Sequence, residues 1–133
     1  MAPERTGSYG ECAPTQGADQ MTISASQRIT ELVTSWPGVT AGTGRRGEWS
    51  FKVGKREIGH LHGDHAAHFS FPKQVWLELV EQGRITDHPV FPGRVGPGAR
   101  RIENEADLRD VIELMRLNYD RIVAGTRLAE HAA

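Results

Sequence analysis

The stretch GHLHGDHAAHFSFP, residues 59–72, sets His60, His62, His65 and His68 within nine positions of a chain that holds only six histidines. Imidazole changes charge nearer neutral pH than any other side chain, and in its neutral form it binds transition metals. Two chemistries suit such a set. A divalent metal, Fe or Zn, held by His60, His62 and His68 would keep an open coordination position. Without a metal, the same groups can act as general base and oxyanion stabiliser, taking the proton from an enolic or phenolic hydroxyl so that its carbanion-like form reacts with oxygen. The residues leave the cofactor open between the two. His88, in the segment RITDHPVFPG, is the fourth candidate for the centre. The plain alternative is structural, since strand histidines can simply bond one another or backbone carbonyls.

Strand periodicity must position these residues. EWSFKV alternates Trp49, Phe51 and Val53 on one face, Gly54-Lys55 is a Gly-first turn of the hairpin kind, and REIGHLH is the returning strand. That turn pairs Val53 with Arg56, Phe51 with Ile58 and Trp49 with His60, so Trp49, Phe51, Ile58, His60 and His62 are expected on one face. The expected substrate-binding set is Trp49, Phe51, Arg56 and Glu57, with the two aromatics walling an apolar pocket and Glu57 either supporting a histidine or pairing with Lys52. A third strand, AHFSF at 67–71, separates Phe69 and Phe71 from His68 and Ser70. The loop before it decides where His68 goes. Three loop residues (63–65) pair His60 with His68, and five (63–67) pair His62 with His68; either brings all three imidazoles to one face, whereas four sends His68 away.

Around this hairpin the chain reads as helix, strands, helix, long loop and helix. Ile29, Leu32, Val33 and Trp36 follow the capping candidates Ser24 and Ser26 and stop at Pro37-Gly38, giving a helix over 25–36. Gly-rich 39–47 is a loop with a short edge strand. Val75, Trp76, Leu79 and Val80 form a helical stripe ended by Gly83. Residues 84–102 are too rich in Pro and Gly to be regular before their end. Asn104 caps a last helix whose stripe is Leu108, Val111, Ile112, Met115, Tyr119 and Ile122, ending at Gly125. The fold class is therefore α+β, a small antiparallel sheet packed with about three helices in one domain over 22–125. Residues 1–21 form an extension without hydrophobic period, and 126–133 a tail.

Composition narrows the function. Sixteen Lys and Arg balance seventeen Asp and Glu, and no sustained basic run offers the phosphate neutralisation that nucleic-acid binding needs. Cys12 is the single cysteine, which excludes a disulfide framework and fits a cytoplasmic location. No apolar stretch is long enough for a membrane helix. The paired Arg45-Arg46 and Arg100-Arg101 read as solvated surface charge, and Asp64 and Asp87 as turn formers first and ligands second.

The string HLHGDH formally matches the HxHxDH of metallo-β-lactamases, but too little chain follows it to build that fold. A better match covers about 56–122. REIGHLHGDHAAHFSF, then GRITDHPVFPGRVGPG, then the final helix resemble the luciferase-domain family typified by the luciferase of bioluminescent fungi. Arg56, Glu57, Ile58, His60, His62, His68, Gly83, His88, Pro89 and Gly93 sit where that family carries the same residues. The strand after the Gly/Pro loop is the shorter, more basic ARRIE, 99–103. The resemblance implies an α+β fold, a catalytic set of His60, His62, His68 and His88, and an oxygenase-type reaction on a small hydroxylated or enolic molecule. The alternative class is a non-catalytic module of the double-wing kind, binding a ligand, a partner or nucleic acid. An exposed sheet edge would also admit a homodimer.

Overall fold

The computed structural model of the chain describes residues 23–89 and 92–132; the expected N-terminal extension lies outside the described residues. Helix α1 (Ala25–Val33) begins where Ser24 Oγ accepts from the Gln27 N–H at 3.1 Å and Asp64 Oδ1 accepts from the Ser26 N–H at 2.8 Å. Two oxygens thus satisfy amides that a helix start leaves free. The helix closes at Val33, short of the expected Trp36, and the chain leaves through Gly38 at φ +81°.

Six strands follow: β1 (Val39–Thr43), β2 (Trp49–Val53), β3 (Arg56–His62), β4 (Ala66–Ser70), then, beyond helix α2 (Lys73–Glu81), β5 (Thr86–Asp87) and β6 (Pro97–Arg101). All neighbours are antiparallel and the sheet order is β1-β2-β3-β4-β6-β5. The span 84–102, expected to be largely irregular, thus supplies two strands, and β6 starts two residues before the expected 99. Helix α3 (Glu105–Ala132) is capped by Asn104, whose Oδ1 accepts from the Asp107 N–H at 2.8 Å. It runs through Gly125, contrary to the expected stop. A glycine ends a helix by adopting a left-handed conformation, as Gly83 does at φ +74° after α2, and Gly125 does not. With the helices over one face of the sheet, the architecture is a small α+β domain.

The β2–β3 register corrects the sequence reading at its most consequential point. Gly54, at φ +61°, turns the hairpin as expected, and Val53 faces Arg56 and Lys52 faces Glu57. The ladder then shifts by a β-bulge, so that Phe51 faces Gly59, Ser50 faces His60 and Trp49 faces Leu61. One extra residue in β3 therefore moves His60 and His62 to the face opposite Trp49 and Phe51. A bulge disrupts ladder bonding, and α3 repairs it: Asn118, 1% exposed, donates from Nδ2 to the Ile58 carbonyl at 2.8 Å and to the Ser70 carbonyl at 3.3 Å. Its Oδ1 accepts from the Arg121 guanidinium at 2.7 Å.

The core lies between sheet and helices. Ile29 and Val33 of α1 join Leu108, Val111, Leu114, Met115, Tyr119 and Ile122 of α3 against Phe51, Leu61, Ala67 and Phe69. Gly59 is what lets them close, since a Cβ there would sit 2.9 Å from the Phe69 ring and 3.0 Å from Met115 Sδ. At the far edge Arg100 reaches Asp107 and Asp110, and Arg84 reaches Asp110, fastening β6 and the approach to β5 onto α3. Arg101 pairs with Glu103 on the surface. Among the described residues no helix is long and apolar enough to cross a membrane.

Asn118→Leu preserves volume but strips the Ile58 carbonyl of its donor. The expected loss is about 1–3 kcal/mol in urea unfolding. Gly59→Ala should cost a similar amount, about 1–3 kcal/mol, through overpacking. Gly42→Ala, where a Cβ meets nothing within 4 Å, should stay within about 0.5 kcal/mol of the parent.

Candidate functional site

The face of the sheet away from the helices carries the histidines. His60 and His62 lie two apart on β3, and the three-residue turn 63–65 pairs His60 with His68 on β4, one of the two loop lengths that keep all three on one face. The ring centroids lie 5.0 Å apart for His60–His62, 5.3 Å for His60–His68 and 4.2 Å for His62–His68. One donor nitrogen from each of the three lies within 4.8 Å of the others. His88, just past β5, brings its ring centroid to 4.2 Å from that of His68. Ala99 makes the approach possible: it stands between them on β6, paired with His68 on one side and Thr86 on the other, and a methyl leaves the space open. Asp87 Oδ2 accepts from the Gly93 N–H at 2.7 Å and so ties the turn that carries His88. His65 is exposed at the β3–β4 turn and stands outside the cluster.

Glu57 supports the set. Its Oε2 lies 2.9 Å from His60 Nδ1, and its Oε1 accepts from the Ser50 hydroxyl at 2.8 Å. The His60 contact, chiefly, holds the Glu57 carboxyl below the usual carboxylate range, so it is ionised and can only accept. His60 Nδ1 is therefore the protonated nitrogen, and the lone pair is left on Nε2. The bulge is what lets Glu57 and His60, three residues apart, serve the same face. Ser50 was not visible as a site residue in the sequence, because the unbulged register pairs Trp49, not Ser50, with His60.

His68 is the most enclosed of the four at 7% exposure. Its Nδ1 is buried without a hydrogen-bond partner among the described residues. Burial first, and then the charges of His62, His88 and His60, push its pKa down to about 4. Burial leads the same downward shift at His62 and His88. Near neutral pH these imidazoles are neutral, with lone pairs available to a Lewis acid or a proton.

The remaining expected residues are elsewhere. Trp49 points to the helical side, where its indole N–H donates to Thr30 Oγ1 of α1 at 2.9 Å, and Phe51 is fully buried in the core. The expectation of an apolar pocket walled by these two beside the imidazoles is therefore corrected; the bulge has put them behind the sheet. Arg56 is exposed at the start of β3 and borders a surface hollow of about 420 Å³ with Ser70, Phe71, Pro72 and Arg121. Asp64 caps α1, as a turn-and-cap residue would.

Comparison with known proteins adds one match. Residues 55–118 match the family model described as the Luciferase domain, which bears out the resemblance read from the histidine spacing and spans Glu57, all four clustered histidines and Asn118. No curated protein and no solved structure shows significant similarity to the chain.

The depressed His68 gives stability a pH signature in chelator-treated protein. The unfolded chain protonates this ring near its ordinary 6.5, the folded one only near about 4. Protons therefore favour unfolding in that interval. Stability should be full above pH 6.5, fall by on the order of 2–3 kcal/mol as pH drops toward 4, and level off below. His68→Gln should flatten this decline in urea titrations at a series of pH values; an unchanged decline would place its origin elsewhere.

Proposed function

With the Luciferase domain match over residues 55–118 as premise, we propose that the histidine face of β3 and β4 is the reaction centre of a small oxygenase-type enzyme. Its substrate is a small organic molecule with an ionisable enolic or phenolic hydroxyl. The observation that carries this reading is the buried Nδ1 of His68, which among the described residues has no hydrogen-bond partner although three other imidazoles surround it. An unmet buried nitrogen costs about 1–3 kcal/mol, and a fold under ordinary selection for stability satisfies it. A ligand is the economical reason to leave it open.

His60, His62 and His68 form the donor set for a divalent metal, Fe or Zn. One donor atom from each lies within 4.8 Å of the other two, near enough that small side-chain rotations would bring all three to a shared ion. Glu57 supports the set as a carboxylate supports a metal-bound imidazole, fixing the His60 tautomer. A bound ion supplies Lewis acidity toward the substrate oxygen. His88 stands beside the three as the neutral base that accepts the hydroxyl proton. The resulting enolate provides the electron pair for a new carbon–oxygen bond to dioxygen, so the addition requires no external reductant. The sheet face holds the donors rigidly, because each sits on a paired strand.

Protein purified without a histidine tag should take up about one equivalent of Fe²⁺ or Zn²⁺ and consume oxygen with a member of a panel of hydroxylated α-pyrones and other enols. His60→Ala, His62→Ala and His68→Ala should lose both properties with melting temperature nearly unchanged. Glu57→Gln should weaken metal binding about 10–100-fold. Failure to bind either metal, together with oxygen uptake indifferent to His68→Ala, would overturn the proposal. So would histidine variants as destabilised as Phe69→Ala, whose cost is about 3–5 kcal/mol, because the cluster would then be a structural network.

A further inference from the structure

We propose that the groove between the β1–β2 loop and Glu57 is an anion subsite of this centre, and that the substrate is therefore an organic acid with its carboxylate at one end and its reactive hydroxyl at the other. The inference rests on the reading of the histidine face as a reaction centre and names its substrate class.

The groove encloses about 530 Å³, within the range of small-molecule sites. Its floor is the outward face of β1 and β2, with Thr40, Gly42, Ser50 and Lys52, and its rim is the loop from Thr43 to Glu48. At Gly42 a Cβ would meet nothing within 4 Å, so the floor is open to an occupant. No histidine lines the groove; its inner end is Ser50 and Glu57, the two residues that hold His60 through consecutive hydrogen bonds. A molecule lying along it would enter the imidazole cluster at His60.

The loop is built to hold its shape. Gly44 donates to the Glu48 carbonyl at 2.7 Å, and Gly47 to the Gly44 carbonyl at 3.1 Å. The Glu48 side chain folds back over Gly44, where a Cβ would come within 2.3 Å of its carboxylate, and its Oε1 accepts from the Arg46 N–H at 2.9 Å. A side chain at Gly44 would push the Glu48 carboxylate out of this position. Arg45 and Arg46 are thereby presented at the rim of a fixed turn.

Charge decides the occupant. Arg45, Arg46 and Lys52 line the groove, and among the described residues none of the three forms an ion pair. Both carboxylates in the groove are engaged, Glu48 by its own loop amide and Glu57 by Ser50 and His60. Elsewhere Arg28, Arg84, Arg100, Arg109 and Arg116 face carboxylates, and Arg121 is held by Asn118 Oδ1. Lys52 also stands across from Glu57, but three cations against two engaged carboxylates leave the groove net positive, and such a field leading to a reaction centre steers and holds an oxyanion. The solvated-charge reading of Arg45-Arg46 thus gives way to a binding role, whereas Arg100 is structural.

The test is calorimetric titration of the full chain with phenylpyruvate, 4-hydroxybenzoate and 3,4-dihydroxybenzoate, each against its methyl ester. At least one acid should bind about tenfold more tightly than its ester, and the preference should shrink as salt is raised. In Arg46→Gln/Lys52→Gln the preference should fall to within about twofold, with melting temperature and metal content as in the parent. Equal binding of every acid and ester, binding by none of the acids, or a preference that survives the double substitution would overturn the proposal. An acid preference without metal or oxygen uptake would count against the reaction centre alone. Oxygen uptake without an acid preference would count against the groove alone.

Discussion

Were β2 and β3 paired without a bulge, alternation would turn His60 and His62 toward α3, into space filled by Phe51, Leu61, Met115 and Phe69. Imidazoles there would displace apolar volume and bring nitrogens that need partners into the driest part of the domain. The extra residue at Ile58 avoids this and gives the sheet two unlike faces, one hydrocarbon and one imidazole. The β2–β4 part of the histidine cluster follows from that exchange of sides. Glu57 reaches His60, Ser50 reaches Glu57, and the short β3–β4 turn adds His68 to the same face.

The bulge persists because distant residues complete it. The Ile58 carbonyl finds its donor in Asn118, sixty positions along the chain, and the slimness of Gly59 lets Phe69 and Met115 seat α3 close enough for Asn118 to arrive. The polar contact and the packing beneath it therefore depend on one another. At the other edge the Arg84, Arg100, Asp107 and Asp110 network fixes β6 and β5 to the same helix, and so sets the lateral position of His88. One helix anchors both sides of the cluster.

Much of this was legible in the residues. Gly54-Lys55 announced its turn, Ser24 and Asn104 their caps, Gly83 its helix end, and the i, i+2 histidines their common face, because each is a local signal with a local cause. The bulge was not legible. Its compensation lies in a side chain sixty residues away that reads as one more polar position on an amphipathic helix, so the pocket expected at Trp49 and Phe51 lay on the wrong side of the sheet. β5 and β6 were obscured by the prolines and glycines around them, although edge and near-edge strands tolerate such residues. Gly125 looked like a stop because composition cannot show whether a glycine adopts the left-handed turn that ends a helix.

Three of the clustered rings, His62, His68 and His88, are held toward the neutral form in the free protein, and a neutral ring has no proton to expel when a cation arrives. Metal capture by exposed histidines competes with acid and weakens steeply as pH falls through 6.5. At His68 that competition is postponed to about pH 4, and His62 and His88 shift the same way. In the proposed metal site, the burial of His68 would therefore make its share of the binding less sensitive to mild acidification. The same shifts restrict the chemistry: His62, His68 and His88 are poor proton donors near neutrality, so in the proposed reaction any proton returned to product would come from a base just loaded by substrate or from solvent. Neutral imidazoles of this kind favour the proposed proton removal over acid catalysis.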